Sequence, residues 1–148
     1  MKTFDKVNLE RCVGTWFEIA WFAHFIEKGL VGVSATYSLK KNGNVGIINQ
    51  SFKNSLTGKL RWTKGFAKLP DPNIPRRLIV YFLCPFGGVY LILDLDNDYQ
   101  CVLVGSSSKK YLGILCRTKT MDDSIYNNLV KKAESLGFDT SRLKSVPQ

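Results

Sequence analysis

Val31-Gly32-Val33-Ser34-Ala35-Thr36-Tyr37-Ser38-Leu39 runs into Lys40-Lys41-Asn42-Gly43 and continues as Val45-Gly46-Ile47-Ile48-Asn49-Gln50-Ser51-Phe52. Two stretches rich in β-branched and aromatic residues flank an Asn-Gly pair, which tolerates the positive φ of a tight hairpin turn. The segment therefore predicts strands over 31–39 and 45–52 joined by a hairpin. Working outward, Trp16 to Phe22 reads as an earlier strand, and a loop from about Ala23 to Leu30 follows it, with Gly29 and Gly32 as punctuation. Downstream, a turn at Ser55–Gly58 precedes a strand over Lys59–Leu69, stopped by Pro70-Asp71-Pro72-Asn73-Ile74-Pro75. Leu78–Cys84 and Val89–Leu95 flank Pro85-Phe86-Gly87-Gly88, and Tyr99–Gly105 and Tyr111–Arg117 flank a Ser-Lys turn.

Eight strands with turn signals every 8 to 14 residues favour a sandwich or an up-and-down barrel. Leu78-Ile79-Val80-Tyr81-Phe82-Leu83 and Val89-Tyr90-Leu91-Ile92-Leu93 are apolar on both faces, whereas a sheet with one wet face alternates. Two dry faces fit a barrel with an apolar interior and a partly covered exterior. Met121 to Leu136 supplies the cover: Ile125, Leu129, Ala133 and Leu136 recur at helical spacing. Thr120 with Asp123 resembles a capping box, and Gly137-Phe138 fits a Schellman end. At the other terminus Asn8 is placed to cap a single helical turn over Leu9–Cys12. The expected architecture is all-β: an eight-stranded antiparallel barrel over about 14–117 with an outer helix over about 121–136, forming one domain over 1–148.

Composition narrows the function. The 148 residues are 45% apolar and 12% aromatic, enough for one core and unlike a disordered chain. No run approaches the roughly 18–20 apolar residues of a membrane helix. Lys6, Asn8, Glu10 and Arg11 interrupt any secretory pattern at the start, so a chain without a signal and a chain beginning after one both stay open. A single histidine, His24, excludes His-rich zinc sites, and Cys12, Cys84, Cys101 and Cys116 never form a Cys-x-x-Cys pair. The four thiols read first as small buried hydrophobes, with disulfides as the alternative. No metal and no cofactor is expected. Lys and Arg number 21 against 12 Asp and Glu, a net charge of +9. No acidic residue stands between Glu27 and Asp71, where Lys28, Lys40, Lys41, Lys53, Lys59, Arg61, Lys64 and Lys68 fall.

Gly14-Thr15-Trp16 at the head of the first strand, Asp98-Tyr99 at the head of the seventh and Arg117 at the end of the eighth resemble the three signature regions of the lipocalins. Glu27-Lys28-Gly29, Pro70-Asp71-Pro72-Asn73, Asp94-Leu95-Asp96, Val104-Gly105-Ser106 and Leu136-Gly137-Phe138-Asp139-Thr140 are similar to the bacterial outer-membrane and apolipoprotein D-like members. Independently of family, Trp16 is a large plug for a closed barrel end, and Arg117 can lie on its indole face and donate to backbone carbonyls of the lead segment. Those roles are structural.

The resemblance implies that Tyr37 and Asn49 face a ligand cavity. Strand parity then turns Val33, Ala35, Ile47 and Ser51 inward. The family register adds Leu78, Val80, Phe82, Tyr90, Ile92, Val102, Tyr111, Gly113 and Leu115. Relatives carry a bulky Trp where this chain has Gly113, which predicts an enlarged or reshaped cavity unless Tyr111 or Phe82 compensates. The mouth, opposite Trp16, is expected to gather Lys28, Lys53, Lys59, Lys109 and Lys110, suiting a fatty acid or (lyso)phospholipid with its head outward. Apolar loops at Ala23–Ile26 and Pro85–Gly87 are expected to touch a membrane peripherally.

The resemblance thus implies transport or storage of a small lipophilic ligand by a monomer or dimer. It places the protein at a bacterial outer membrane or periplasm if a signal was removed, and otherwise in the cytoplasm. Two other function classes fit the sequence less well. An enzyme lacks a Gly-x-Ser-x-Gly elbow, a phosphate loop and, with Cys101 and Cys116 facing outward, the inward thiol of a lipocalin-type isomerase. Asp94, Asp96 and Asp98 read as turn formers. A nucleic-acid binder wants aromatics interleaved with Lys and Arg on an open sheet face, whereas Tyr and Phe here sit in apolar strands; no nucleic-acid partner is expected.

Overall fold

The Asn-Gly hairpin forms as its chemistry dictates: Gly43 takes φ +85°, its N–H donates to the Lys40 carbonyl at 3.0 Å, and Lys40 N–H donates to Asn44 at 2.8 Å. The computed structural model describes residues 8–22, 30–68, 77–82 and 88–148, with the backbone alone described at 77–82, 88 and 89. Strands β1 (Gly14–Phe22), β2 (Leu30–Leu39), β3 (Val45–Lys53), β4 (Leu60–Lys68), β5 (Arg77–Phe82), β6 (Gly88–Leu95), β7 (Cys101–Ser106) and β8 (Leu112–Cys116) each pair antiparallel with the next. Because β1 pairs with both β8 and β2, the sheet curls round and closes on itself.

Closure is incomplete in one place, and the chain fills it. The β1–β2 ladder runs only from Gly14↔Tyr37 to Phe17↔Ser34. Beyond it, β1 bulges between Glu18 and Ala20 and β2 between Val31 and Ser34, which splays the two strands. A short ninth strand, β9 (Leu143–Ser145), takes the vacated edge through Ala20↔Ser145, Trp21↔Lys144 and Phe22↔Leu143. Val146 N–H then donates to Ile19 O at 3.0 Å, and Gly32 N–H to Pro147 O at 2.6 Å. A three-residue strand offers no alternation to read, so eight strands were expected and nine are present among the described residues.

The helix α1 (Asp123–Ser135) starts later than its apolar spacing suggested. Thr118 Oγ1 donates to the Thr120 carbonyl at 2.7 Å and holds Thr120 in the preceding turn, so Asp122 caps instead, accepting from Ser124 N–H at 2.8 Å. Ile125 is 42% exposed; the buried stripe passes through Tyr126, Leu129, Val130 and Ala133. The Schellman end forms as expected. Gly137 takes φ +90°, which glycine adopts without Cβ strain, and Phe138 N–H donates to Ala133 O at 3.1 Å while Gly137 N–H donates to Glu134 O at 3.0 Å.

Helix α1 and Phe138 cover Phe22, Leu91, Leu93, Leu103, Leu112 and Ile114 on the outer barrel wall, which accounts for a β6 that is apolar on both faces. Each such burial is worth about 1.5–3 kcal/mol. Cys101 and Cys116 lie in the same outer layer, directly opposite in register, as free thiols with sulfurs 3.2 Å apart. Asp98 and Tyr99 do not open β7 as the spacing suggested. They sit in the turn before it, where Asp96 Oδ1 accepts from Gln100 and Cys101 N–H at 2.7 and 2.8 Å and Tyr99 takes φ +57°. The 3-10 turn Leu9–Cys12 crosses the barrel's lower end, with Asn8 accepting from Glu10 N–H as its cap.

Candidate functional site: an apolar cavity with one buried carboxyl

The lower end is sealed by stacked side chains. Trp16 is 2% exposed and donates Nε1–H to the Cys12 carbonyl at 2.9 Å. The Arg117 guanidinium lies 3.9 Å from the centre of the Trp16 ring and donates to three carbonyls: Arg11 at 2.8 Å, Thr15 at 3.3 Å and Tyr99 at 3.3 Å. Arg11 stacks on Tyr99 at 4.1 Å, and the Tyr99 hydroxyl accepts from Asn8 N–H at 2.9 Å. Gly14 has φ +103°, and a Cβ there would stand 3.1 Å from an Arg117 nitrogen, so glycine is what lets β1 pass under the guanidinium. The turn carboxylate that binds backbone is Asp96; Asp98 contributes its carbonyl to the Gln100 side chain.

Above this floor the barrel encloses a cavity of about 370 Å³, within the usual range for one small ligand. Ten of the residues expected to face it do so together: Val33, Ala35, Tyr37, Ile47, Asn49, Tyr90, Ile92, Val102, Tyr111 and Leu115. Ser51, placed inward by parity with Asn49, also lines it. Register opposes Val80 to Ala67 and Leu78 to Tyr90, but the side chains of Leu78, Val80 and Phe82 lie outside the described residues.

Gly113 departs from expectation. It opens no free space, because a Cβ there would come within 2.6 Å of both Glu18 Oε1 and the Tyr111 hydroxyl. Those two groups occupy the room a larger residue would take, and they bond: the Tyr111 hydroxyl donates to Glu18 Oε1 at 2.8 Å. Glu18 is 5% exposed and is, among the described residues, the carboxyl group that lines the cavity. It was missed, although parity from Trp16 points to it. The Tyr111 ring packs on Tyr90 with centroids 5.5 Å apart. Nearby, burial above all, with the Glu18 charge adding to it, pushes the Tyr37 hydroxyl well above its ordinary pKa and keeps it a neutral donor.

Trp21 and Arg61 were also missed. The β1 bulge moves Trp21 inward, where it packs with Val33 and Val146. Arg61 stands opposite Ser51 in β4 and is the lining cation among the described residues. The lysines expected at the mouth form no part of the cavity's described wall. Lys53, Lys59 and Lys110 are exposed and none lines the wall, and Lys28 lies outside the described residues. Lys109 folds outward, with its ammonium 2.7 Å from where a Gly137 Cβ would stand, at the C-terminal end of α1. The partial negative charge of the last helical carbonyls suits it there. The loops 23–26 and 85–87 also lie outside the described residues. Trp62 is 59% exposed, with the Lys64 ammonium 5.5 Å from its ring centre.

Cys12 borders the cavity floor, a position parity had not considered. Burial pushes its thiol up to about 11, opposite in direction to an activated nucleophile, so it stays protonated near neutral pH.

The family model for a lipocalin-like domain matches residues 7–148. The chain is 37% identical to temperature-induced lipocalin-1 of Arabidopsis thaliana over 157 residues, covering 100% of this chain and 83% of that protein. It is 37% identical to the outer membrane lipoprotein Blc of Escherichia coli K12 over 144 residues, covering 97% and 81% respectively. Among solved structures, lobster apocrustacyanin A1 superposes with a TM-score of 0.76 at 17% identity, over 95% of this chain and 79% of that one. Insecticyanin from the tobacco hornworm Manduca sexta gives 0.71 at 16%, over 99% and 82%. Lipocalins bind small hydrophobic ligands and are generally not enzymes. With these matches over nearly its whole length, the chain belongs to the lipocalin family.

Proposed function

We propose that this lipocalin carries or stores a single-chain amphiphile, a fatty acid or lysophospholipid, with the hydrocarbon chain in the barrel and the anionic head beside Arg61. The observation that carries this reading is the cavity itself: about 370 Å³, walled mainly by aliphatic and aromatic groups, with a guanidinium at the β3–β4 rim. Tail burial gives affinity roughly in proportion to apolar area, and the guanidinium distinguishes an acid from a neutral lipid. Exposed Leu56, Leu60 and Trp62 adjoin Lys53, Lys59 and Lys64, which supports pick-up of the ligand from an anionic membrane surface.

The test is a titration of octadecanoic acid against octadecanol at about 20 and 500 mM salt, where screening separates charge from tail burial. The acid is expected to bind more tightly at low salt, and Arg61→Glu is expected to erase that preference. Equal affinities at both salts, unchanged by the substitution, would show that the cavity does not read the head group.

A further inference from the structure

A carboxyl group on the wall of a greasy barrel is costly unless it has hydrogen-bond partners. Glu18 sits midway along β1, its side chain 5% exposed and bordering the cavity. The Tyr111 hydroxyl donates to it, and Gly113 provides the room both need, a Cβ there meeting each at 2.6 Å. Tyr37 and Tyr90 border the same part of the cavity, and Tyr37 feels the Glu18 charge. The polar node is therefore built by three positions on two neighbouring strands and their end, and it faces the space where the proposed ligand's chain would run. Plain methylenes running past Glu18 would offer it no hydrogen bond. A hydroxyl on the chain would donate to Glu18, either joining Tyr111 or replacing it.

We infer that Glu18, oriented by Tyr111 and accommodated by Gly113, is a specificity-determining residue that selects an amphiphile bearing a hydroxyl group along its chain over one with an unbroken hydrocarbon chain. The inference rests on the ligand reading above and adds a second polar contact to it. Arg61, three strands away from β1 in the sheet order through β2 and β3, takes the anionic end, and Glu18 takes an internal hydroxyl. The site then reads both the head and the chain of one molecule. The gain from one such hydrogen bond to a charged or strongly polar acceptor corresponds to about three- to tenfold in affinity.

The probes are octadecanoic acid and its 10-hydroxy and 12-hydroxy derivatives, measured by displacement of a fluorescent fatty acid. The wild-type protein is expected to bind at least one hydroxy acid about three- to tenfold more tightly than the plain acid. Glu18→Met is expected to abolish or reverse that preference, read as the ratio of hydroxy-acid to plain-acid affinity within the one variant. Tyr111→Phe, a smaller change that keeps the test decisive should Glu18→Met fail to fold, removes one competing donor and is expected to widen the preference. Gly113→Ala, whose methyl group would push Glu18 and Tyr111 apart, is expected to narrow it. Equal binding of plain and hydroxy acids by wild-type protein, with no response to Tyr111→Phe, would overturn this inference and leave the ligand reading standing. Failure of every acid to bind would overturn both.

Discussion

The start and the middle of β1 put similar chemistry to opposite uses. At its start, Trp16 and Arg117 form a closed stack in which the indole N–H and three guanidinium donors are spent on backbone carbonyls. Two residues on, Glu18 turns a carboxyl toward the cavity with Tyr111 as its donor. Donors satisfied by main chain lock a structure, because every element they bridge must stay in place. A side-chain pair facing a cavity can exchange one partner for a ligand group. The first region should therefore govern stability and the second selectivity.

The largest effect expected is at the lower end. Arg117→Ala removes the indole contact and a donor from three carbonyls, costing about 1–3 kcal/mol. That lowers the melting temperature by about 2–4 °C per kcal/mol in a chain of this size. Octadecanoic acid affinity, titrated where both proteins are folded, should stay the same. A mutant that melts with wild type would break the division between the two regions.

Gly113→Trp sharpens it from the other side. The indole must displace Tyr111 and Glu18 rather than fill a void, so overpacking of about 1–3 kcal/mol is expected by thermal melting. Binding of two-tailed lipids should weaken more than binding of single-chain acids. Undiminished affinity for both classes would mean that β8 does not shape the cavity.

Smaller still is the charge effect of Arg61→Glu on the acid–alcohol preference, about 0.5–1.5 kcal/mol because the side chain is wet and screened. The subtlest change concerns the tail. Removing residues 143–148 deletes the acceptor for Gly32 N–H and the strand beside Ala20–Phe22. Amide exchange at Gly32 should quicken while the Trp16 region keeps its protection. Unchanged exchange at Gly32 would show that the tail does not hold the splayed strands.

These differences follow what a linear sequence can display. The Asn-Gly hairpin, the Schellman glycine and the Trp16–Arg117 stack were legible because each depends on residue type at short spacing or on a bulky plug with a planar cation. Cavity positions on β2 and β3 were legible because a period of two carries one inward residue along a strand. Trp21 was not, because the bulge between Glu18 and Ala20 resets that period without a glycine or proline to announce it. Glu18 was reachable by parity from Trp16, yet a lone acidic residue between apolar neighbours reads as solvent-facing. The absence of lysines from the described wall has another reason. Loop position constrains where a Cα lies but not where a four-carbon side chain ends, and Lys109 ends at the helix terminus.

Native mass spectrometry of the protein mixed with octadecanoic acid tests the central claim most directly, with Ala35→Trp as its counterpart. Ala35 is 6% exposed and lines the cavity beside Trp16, so an indole there takes up the space of the tail. The wild-type spectrum should show one acid per chain that survives desolvation, and the cooperatively melting variant should show none. Equal loading of both proteins would place the ligand outside the barrel and contradict the account.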